Sequence, residues 1–245
     1  ADVMRYAVAW DPEGATFNPY MTASGQGGIP TSFVVDGAGK LAWIGNPMLL
    51  DLVLPRVIQG TWDAQKGPGE INGLMSELQE ISRSAASMPK GEEALAVLKR
   101  LNEFCNRCPE LAADLQEPKF HLLLGAGKAD AAHMHGLRLV EGWRAAGNLD
   151  SINALAWSLV DPAAKTPARD PALALYAATI AVQGSRWMDP NSLDTLAAVH
   201  WSLGDRKRAI EVQEAALKAA EAAGGTARLR EELKARLLQY QSAGN

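Results

Sequence analysis

The chain has 245 residues, of which 47% are apolar and 21% are charged, close to the values of ordinary folded proteins. Its 24 basic and 28 acidic side chains give a formal net charge of −4, without the clustered positive field of a nucleic-acid surface. No apolar run reaches the ~18 residues that a membrane-spanning helix requires. The composition therefore excludes a disordered chain and predicts no nucleic-acid partner and no membrane span.

Two cysteines are too few for a disulfide scaffold. The first residues, Ala1 to Met4, lack the charged and apolar regions of a secretory signal. Two thiols are compatible with either redox environment, so the sequence leaves the compartment open between periplasmic or exported and cytoplasmic.

Residues 1–63 are predicted to form an α/β segment, because short β-rich runs alternate with turn residues and helical patterns. Gly37 to Lys40 is typical of a hairpin turn. In chain order, the predicted elements are a strand at Arg5–Trp10, a short helix within Ala15–Ser24, a β-rich run from Ile29 to Asp36, a return strand at Leu41–Gly45 and a helix within Asp51–Gly60.

One motif in this segment resembles a known family. Gly28-Ile29-Pro30-Thr31 precedes the β-rich run, and Gly39-Lys40 and Trp43-Ile44-Gly45 follow it. The pattern resembles the second half of a thioredoxin-like domain of the redoxin or TlpA-like branch, which acts in thiol–disulfide exchange. The resemblance implies that Pro30 is cis and that Ile29, Pro30 and Thr31 form part of a substrate-binding groove.

The segment departs from that family in its cysteines. The family carries its CxxC at the start of a helix after the second strand, where the helix N-terminus stabilises the thiolate. Residues 1–63 contain no cysteine, and the pattern starts at the family's third strand. We expect the chain to begin part-way into the fold. The strand at Arg5–Trp10 would then pair with the hairpin or with a second copy of the chain, giving a homodimer through the incomplete sheet.

The rest of the chain is predicted to be helical, after a linker at Gly67-Pro68-Gly69. Apolar residues recur at spacings of three and four in two regions, 69–147 and 148–245. Asp170-Pro171 reads as a helix N-cap followed by proline at the first helical position. The predicted helices are Glu70–Ala86, Gly91–Arg107, Pro109–Leu124, Lys128–Ala146, Asp150–Val160, one from Pro171, Asn191–Gly204, Asp205–Ala223 and a capping helix at Glu231–Gln239.

The last region has an internal period of 35 residues. Ala174, Ala178 and Ala181 correspond to three positions that are 35 residues further on, namely Ala209, Gln213 and Ala216. Small residues at this period resemble a tetratricopeptide repeat, whose paired helices touch closely. The resemblance implies a groove for a protein or peptide partner. A solid helical stack without a dedicated ligand is the alternative.

Cys105 and Cys108 form a CxxC pair and are the candidate catalytic residues, because such a pair can form a disulfide and exchange it. Cys105 lies near the C-terminal end of a predicted helix, where the helix dipole disfavours a thiolate. No strand precedes the pair, unlike in thioredoxin. The alternative is a pair of half-buried cysteines at a helix junction.

Other motifs are weaker indications of a functional site. His133 and His135 lie two apart, so they point away from each other on a helix, and a metal site would need His121 and His200 as well. Ser87-Met88-Pro89-Lys90 matches an S-x-x-K hydrolase pattern, but its proline breaks the helix that this chemistry needs. The sequence predicts no metal and no cofactor. The seven tryptophans are expected in the core, unless exposed ones line the helical groove and contact a peptide or carbohydrate.

The predicted fold class is α+β: a partial thioredoxin-like α/β segment followed by an all-α, tetratricopeptide-like array. The first functional hypothesis is a relative of thiol–disulfide oxidoreductases that lacks the family's dithiol. The second is a non-enzymatic adaptor that binds partners in the helical groove. The third is a hydrolase with a site at the domain junction, which no motif supports.

Overall fold

The computed structural model describes residues 11–161 and 170–242. They form an α+β protein that is mostly helical and has a small two-stranded antiparallel sheet. The strands and helices are β1 (Ser32–Val35), β2 (Leu41–Gly45), α1 (Leu50–Ile58), α2 (Gly67–Ala86), α3 (Gly91–Arg107), α4 (Gln116–Gly125), α5 (Ala129–Ala145), α6 (Leu149–Val160), α7 (Pro171–Gly184), α8 (Pro190–Ser202), α9 (Arg206–Ala222) and α10 (Ala227–Ser242). The strand expected at Arg5–Trp10 lies outside the described residues, so its pairing and the homodimer stay predictions.

The chain divides into two compact units, residues 1–77 and 78–245. The division falls within α2, and each unit is described by itself. The sequence-based domains at 1–63, 69–147 and 148–245 stay predictions. Among the described residues, no helix combines the length and the apolar character needed to cross a membrane.

The first unit is built around the predicted hairpin. Val34 of β1 lies opposite Trp43 of β2, and a bulge follows between Val34 and Val35. Both side chains are buried in a small core with Ala42, Val53 and Ile71. The indole Nε1 of Trp62 donates to the Ala42 carbonyl oxygen at 2.8 Å, which fastens the segment after α1 to the sheet.

The short helix predicted within Ala15–Ser24 is present, in shorter form. Within Ala15–Ser24, the regular structure is a π-helical turn at Asn18–Thr22, after a 3₁₀ turn at Pro12–Gly14. The Asp11 carboxylate accepts from the backbone N–H groups of Thr16 and Phe17 at 2.8 and 2.9 Å. These bonds satisfy donors that an ordinary α-helix would leave open at its start.

Gly67-Pro68-Gly69 is not a linker but the first turn of α2. Proline is tolerated there because the N–H that it lacks has no partner within the helix. The N–H of Gly67 donates to the Asp63 carbonyl oxygen at 2.7 Å, which starts the helix.

The second unit follows the predicted pattern of helices closely. Breaks fall at Met88-Pro89, Cys108-Pro109, Gly125–Gly127 and Gly147-Asn148, as predicted. Asp170 caps α7, with its carboxylate accepting from the Leu173 N–H at 2.9 Å. The helix expected over Pro109–Leu124 is instead two 3₁₀ turns, followed by α4.

The residues of the 35-residue period lie in the core of this unit. Helix α7 packs against α6, and α9 packs against α8. All six residues of the period have no exposed surface: Ala174, Ala178, Ala181, Ala209, Gln213 and Ala216. Five of the six are alanines, whose small side chains let the paired helices approach closely.

Candidate functional site

The candidate dithiol lies where α3 ends. Cys105 is in the last turns of the helix and Cys108 is its C-cap, with its N–H donating to the Phe104 carbonyl oxygen at 2.9 Å. No disulfide joins the two residues, and the side chain of Cys108 is buried. Burial raises the pKa of the Cys105 thiol, and the nearby Lys119 ammonium offsets only part of that rise. The surroundings therefore do not activate Cys105 as a thiolate nucleophile.

The Ile29–Pro30 peptide bond is cis, as the resemblance implied. Ile29 is 86% exposed, and Pro30 is exposed beside it. The Thr31 hydroxyl donates to the Gly28 carbonyl oxygen at 2.6 Å, which closes the loop before β1. Residues 1–63 hold no cysteine, so no thiol of this segment lies beside the cis bond.

The histidines lie in separate polar contacts. On α5, His133 Nδ1 is 2.6 Å from an Asp170 carboxylate oxygen, and His135 Nε2 is 2.8 Å from the Gln116 carbonyl oxygen. Burial lowers the pKa of His121 on α4 and of His200 on α8. Within residues 11–161 and 170–242, no three His, Cys, Asp or Glu side chains are grouped as metal ligands. Ser87 to Lys90 lies between α2 and α3, not on one helical turn.

A groove lies on the face of the second unit that α6, α8 and α10 share. It consists of two pockets of about 640 and 440 Å³ that have Trp157 and Arg236 in common. In each of the three helices, the smaller pocket takes residues nearer the N-terminus and the larger pocket takes residues nearer the C-terminus. The three helices therefore run in the same direction along what we call the α6/α8/α10 groove.

Aromatic side chains line the larger pocket. The rings of Trp201 and Tyr240 stack with centroids 4.6 Å apart and planes inclined by 20°. The guanidinium carbon of Arg236 lies 4.8 Å from the ring centroid of Trp157. Burial raises the pKa of Tyr240 to about 12, so its hydroxyl stays protonated at neutral pH. Tyr240 is only 3% exposed, so the half-buried rings of Trp157 and Trp201 supply the apolar surface of this end, with the Arg236 cation beside Trp157.

A polar network holds Arg236, which lines both pockets, in place. Arg236 of α10 forms an ion pair with Asp194 of α8. Gln213 Nε2 of α9 donates to Asp194 Oδ1 at 2.7 Å and to the Leu233 carbonyl oxygen at 3.2 Å. Burial raises the pKa of Asp194, although Gln213 and Arg236 both act to lower it. The network ties α8, α9 and α10 together, and the contact of Arg236 with Trp157 connects it to α6.

The smaller pocket is acidic. Its lining includes the carboxylates of Asp150, Asp189, Asp194 and Glu232 and one cationic side chain, Arg236. Asn153 lines it as well, and its buried Oδ1 has no hydrogen-bond partner among the described residues. A buried amide oxygen without a donor is uncommon in folded proteins, because it loses its hydration without compensation.

Sequence reasoning found part of this groove. Trp157 and Trp201 were expected either in the core or along a helical groove, and both line the groove. It missed Asp194, Arg236 and Tyr240. These residues lie up to 46 positions apart along the chain, and they come together only when their helices align in the fold. The 35-residue period was the signal that could have aligned them.

Comparison with known proteins gives one partial match. The chain is 39% identical over 57 residues to Protein FixW of Rhizobium leguminosarum. The match covers 23% of this chain, which spans about a quarter (26%) of the length of that relative. No family model matches the chain, and no solved structure matches it.

Proposed function

We propose that this chain is a non-enzymatic interaction protein that binds an extended segment of a protein partner in the α6/α8/α10 groove. The observation that carries the proposal is the groove itself, in which three parallel helices present an aromatic end and a polar end. Among the sites that the structure describes, this one combines concavity, apolar surface and charged groups, as ligand sites do.

The groove has the length of a short peptide. Its lining residues on α8 run from Asn191 to Ser202. Eleven helical steps of about 1.5 Å give about 17 Å, which an extended chain covers with about five residues. Stacked helix pairs commonly offer such surfaces to extended partners, which agrees with the tetratricopeptide resemblance.

The groove also offers groups that suit a peptide. Trp157 and Trp201 can pack against an apolar side chain, and the exposed carboxylates of Asp150 and Glu232 can accept backbone N–H groups. The ion pair between Arg236 and Asp194 holds this surface in place before binding, which lowers the conformational cost of association.

A binding experiment with defined peptides tests the proposal. The full chain is titrated into a fluorescein-labelled library of eight-residue peptides, and anisotropy is measured. We expect a subset of the peptides to bind and Trp201→Ala to weaken that binding about tenfold or more, because the substitution removes a stacked aromatic wall.

Trp187→Ala is the matched control, since Trp187 is 46% exposed and does not line the groove. Circular dichroism checks that both variants keep their helices. Peptide binding that is equally weakened by both variants, or binding of chitohexaose in place of every peptide, would contradict the proposal.

A second proposal concerns the α/β segment. The Gly28–Thr31 motif and the hairpin that follows it support descent from the thioredoxin-like fold. In this sequence the family's chemistry would depend on Cys105 and Cys108, whose setting opposes a reactive thiolate. We therefore propose that the segment keeps the family's local structure without a dithiol at its cis-proline loop.

Insulin reduction with dithiothreitol as electron donor tests this second proposal. We expect the rate with the chain to equal the rate with dithiothreitol alone, and Cys105→Ser and Cys108→Ser to leave it unchanged. Catalysed reduction that both serine variants abolish would establish the CxxC pair as a working dithiol.

A further inference from the structure

We propose that the segment bound in the α6/α8/α10 groove carries a lysine or arginine side chain at the acidic end and an aliphatic or aromatic side chain at the aromatic end. This inference rests on the proposed function, because it names the chemistry of the partner at that same site.

The charge of the smaller pocket favours a basic side chain. Four carboxylates line the smaller pocket against one guanidinium, that of Arg236. Three of the carboxylates already have local partners: Asp189 caps α8, Asp194 pairs with Arg236, and Glu232 pairs with Arg228. A carboxylate has about four acceptor sites, so each can accept further hydrogen bonds from an ammonium or guanidinium group.

Part of this negative charge serves the helices themselves. Asp150 lies in the first turn of α6 and Asp189 caps α8, where carboxylates stabilise the helix dipole. Each helix N-terminus carries only about half a positive charge. Arg228 pairs with Glu232, which leaves two excess negative charges, and the two helix ends offset about one of them, so the pocket stays acidic and favours a cation.

Repulsion of an acidic partner favours the same choice. An acidic segment would bring its carboxylates next to the carboxylates of the smaller pocket, which costs binding energy through like-charge repulsion.

The two ends also set a spacing. Glu232 and Tyr240 lie on α10 at the acidic and the aromatic end, eight residues apart. At about 1.5 Å per residue this is about 12 Å, the span of three to four residues of an extended chain. The basic and apolar side chains of the partner are therefore expected three to four positions apart.

The test uses three labelled peptides and the reverse of each sequence. The first is acetyl-Ala-Lys-Ala-Ala-Ala-Leu-Ala-amide, and in the other two the lysine is replaced by norleucine or by glutamate. We expect the lysine peptide to bind the full chain about tenfold more tightly than the glutamate peptide at low salt, and this ratio to shrink as salt rises.

Two pairs of substitutions separate the groove from general charge. Asp150→Asn with Glu232→Gln removes two groove carboxylates and leaves the structural Asp194 and Asp189 in place. Glu214→Gln with Glu221→Gln removes the same charge from exposed positions of α9, outside the groove. We expect only the first pair to reduce the preference for lysine.

The outcomes distinguish the two proposals. If the norleucine and glutamate peptides bind as tightly as the lysine peptide, the groove binds peptides and the basic partner is wrong. If the α9 pair reduces the preference as much as the groove pair, the preference comes from net charge and the inference is wrong. If no peptide binds with sensitivity to Trp201→Ala, both the inference and the proposed function are wrong.

Discussion

The two units of this chain differ in how completely they bury their apolar side chains. In the described part of the first unit, residues 11–77, eight large apolar side chains are exposed, among them Phe17, Ile29 and Met48, and the sheet has two strands. The described part of the second unit is more than twice as long and exposes six. A two-stranded hairpin is marginal by itself, whereas each helix satisfies most of its own backbone groups.

The difference bears on where we propose that the partner binds. A groove that binds a partner needs rigid walls, and the second unit supplies them with alanine-lined helix contacts and the network around Asp194. The first unit offers exposed apolar side chains and two sheet edges that are unpaired among the described residues, which suits pairing with another strand.

Truncation of one phenylalanine in each unit tests the difference in packing. Phe120 on α4 has no exposed surface, so we expect Phe120→Ala to lower the free energy of unfolding by about 3–5 kcal/mol. Phe17 is 49% exposed, so Phe17→Ala should cost less than about 1 kcal/mol. Urea denaturation followed by circular dichroism measures both, and equal losses would contradict the contrast.

Removal of one arginine from each unit tests the ion pairs. Arg236→Met leaves the half-buried Asp194 carboxylate without its cation, which should cost about 1–3 kcal/mol at pH 7. Arg56→Met breaks the more exposed pair with Glu70 and should cost less than about 1 kcal/mol.

The pH dependence of the Arg236→Met loss identifies its cause. Burial raises the pKa of Asp194, and removal of Arg236 takes away a group that lowers it. The folded variant then binds a proton more readily than the unfolded chain, so the loss relative to the unsubstituted protein should shrink between pH 7 and 5.5. A loss that stays constant over this range would show that packing, rather than charge, is responsible.

All four histidines lie in the second unit. Burial lowers the pKa of His121, His135 and His200, so these groups stay neutral in the folded protein below the pH at which the unfolded chain, with a pKa near 6.5, takes up protons. The unfolded state then binds more protons, and stability falls as pH drops below about 6.5.

We expect the urea midpoint of the helical transition to decrease from pH 7.5 to 5.5. His135→Gln keeps a donor for the Gln116 carbonyl oxygen and removes one titrating group, so it should flatten this dependence. A urea midpoint that rises from pH 7.5 to 5.5 would contradict the burial of neutral histidines, because that burial requires a decrease.

Local signals in the sequence were sufficient for much of the fold. Proline and glycine marked most helix ends, and the bounds of α3 at Gly91 and Arg107 were predicted correctly. Gly67-Pro68-Gly69 was misjudged as a linker, because proline and glycine are equally compatible with a loop and with the first turn of a helix. The sequence alone does not distinguish these two, since the deciding bond from Gly67 to Asp63 depends on the path of the preceding chain.

The candidate site was less predictable than the fold. The CxxC pair was visible in the sequence, but the burial that raises the pKa of Cys105 depends on how α3 and α4 pack. Trp157, Asp194 and Arg236 are far apart in the sequence, and each alone reads as an ordinary helix residue. Only the alignment of α6, α8 and α10 makes them one surface.

Hydrogen exchange with and without the bound lysine peptide tests most directly which unit takes the partner. Exchange of the full chain is followed by mass spectrometry at saturating peptide. We expect slower exchange in α6, α8 and α10 and no change over residues 28–45, which include the cis-proline loop and the hairpin. Protection confined to residues 28–45 would contradict the account and assign binding to the α/β segment.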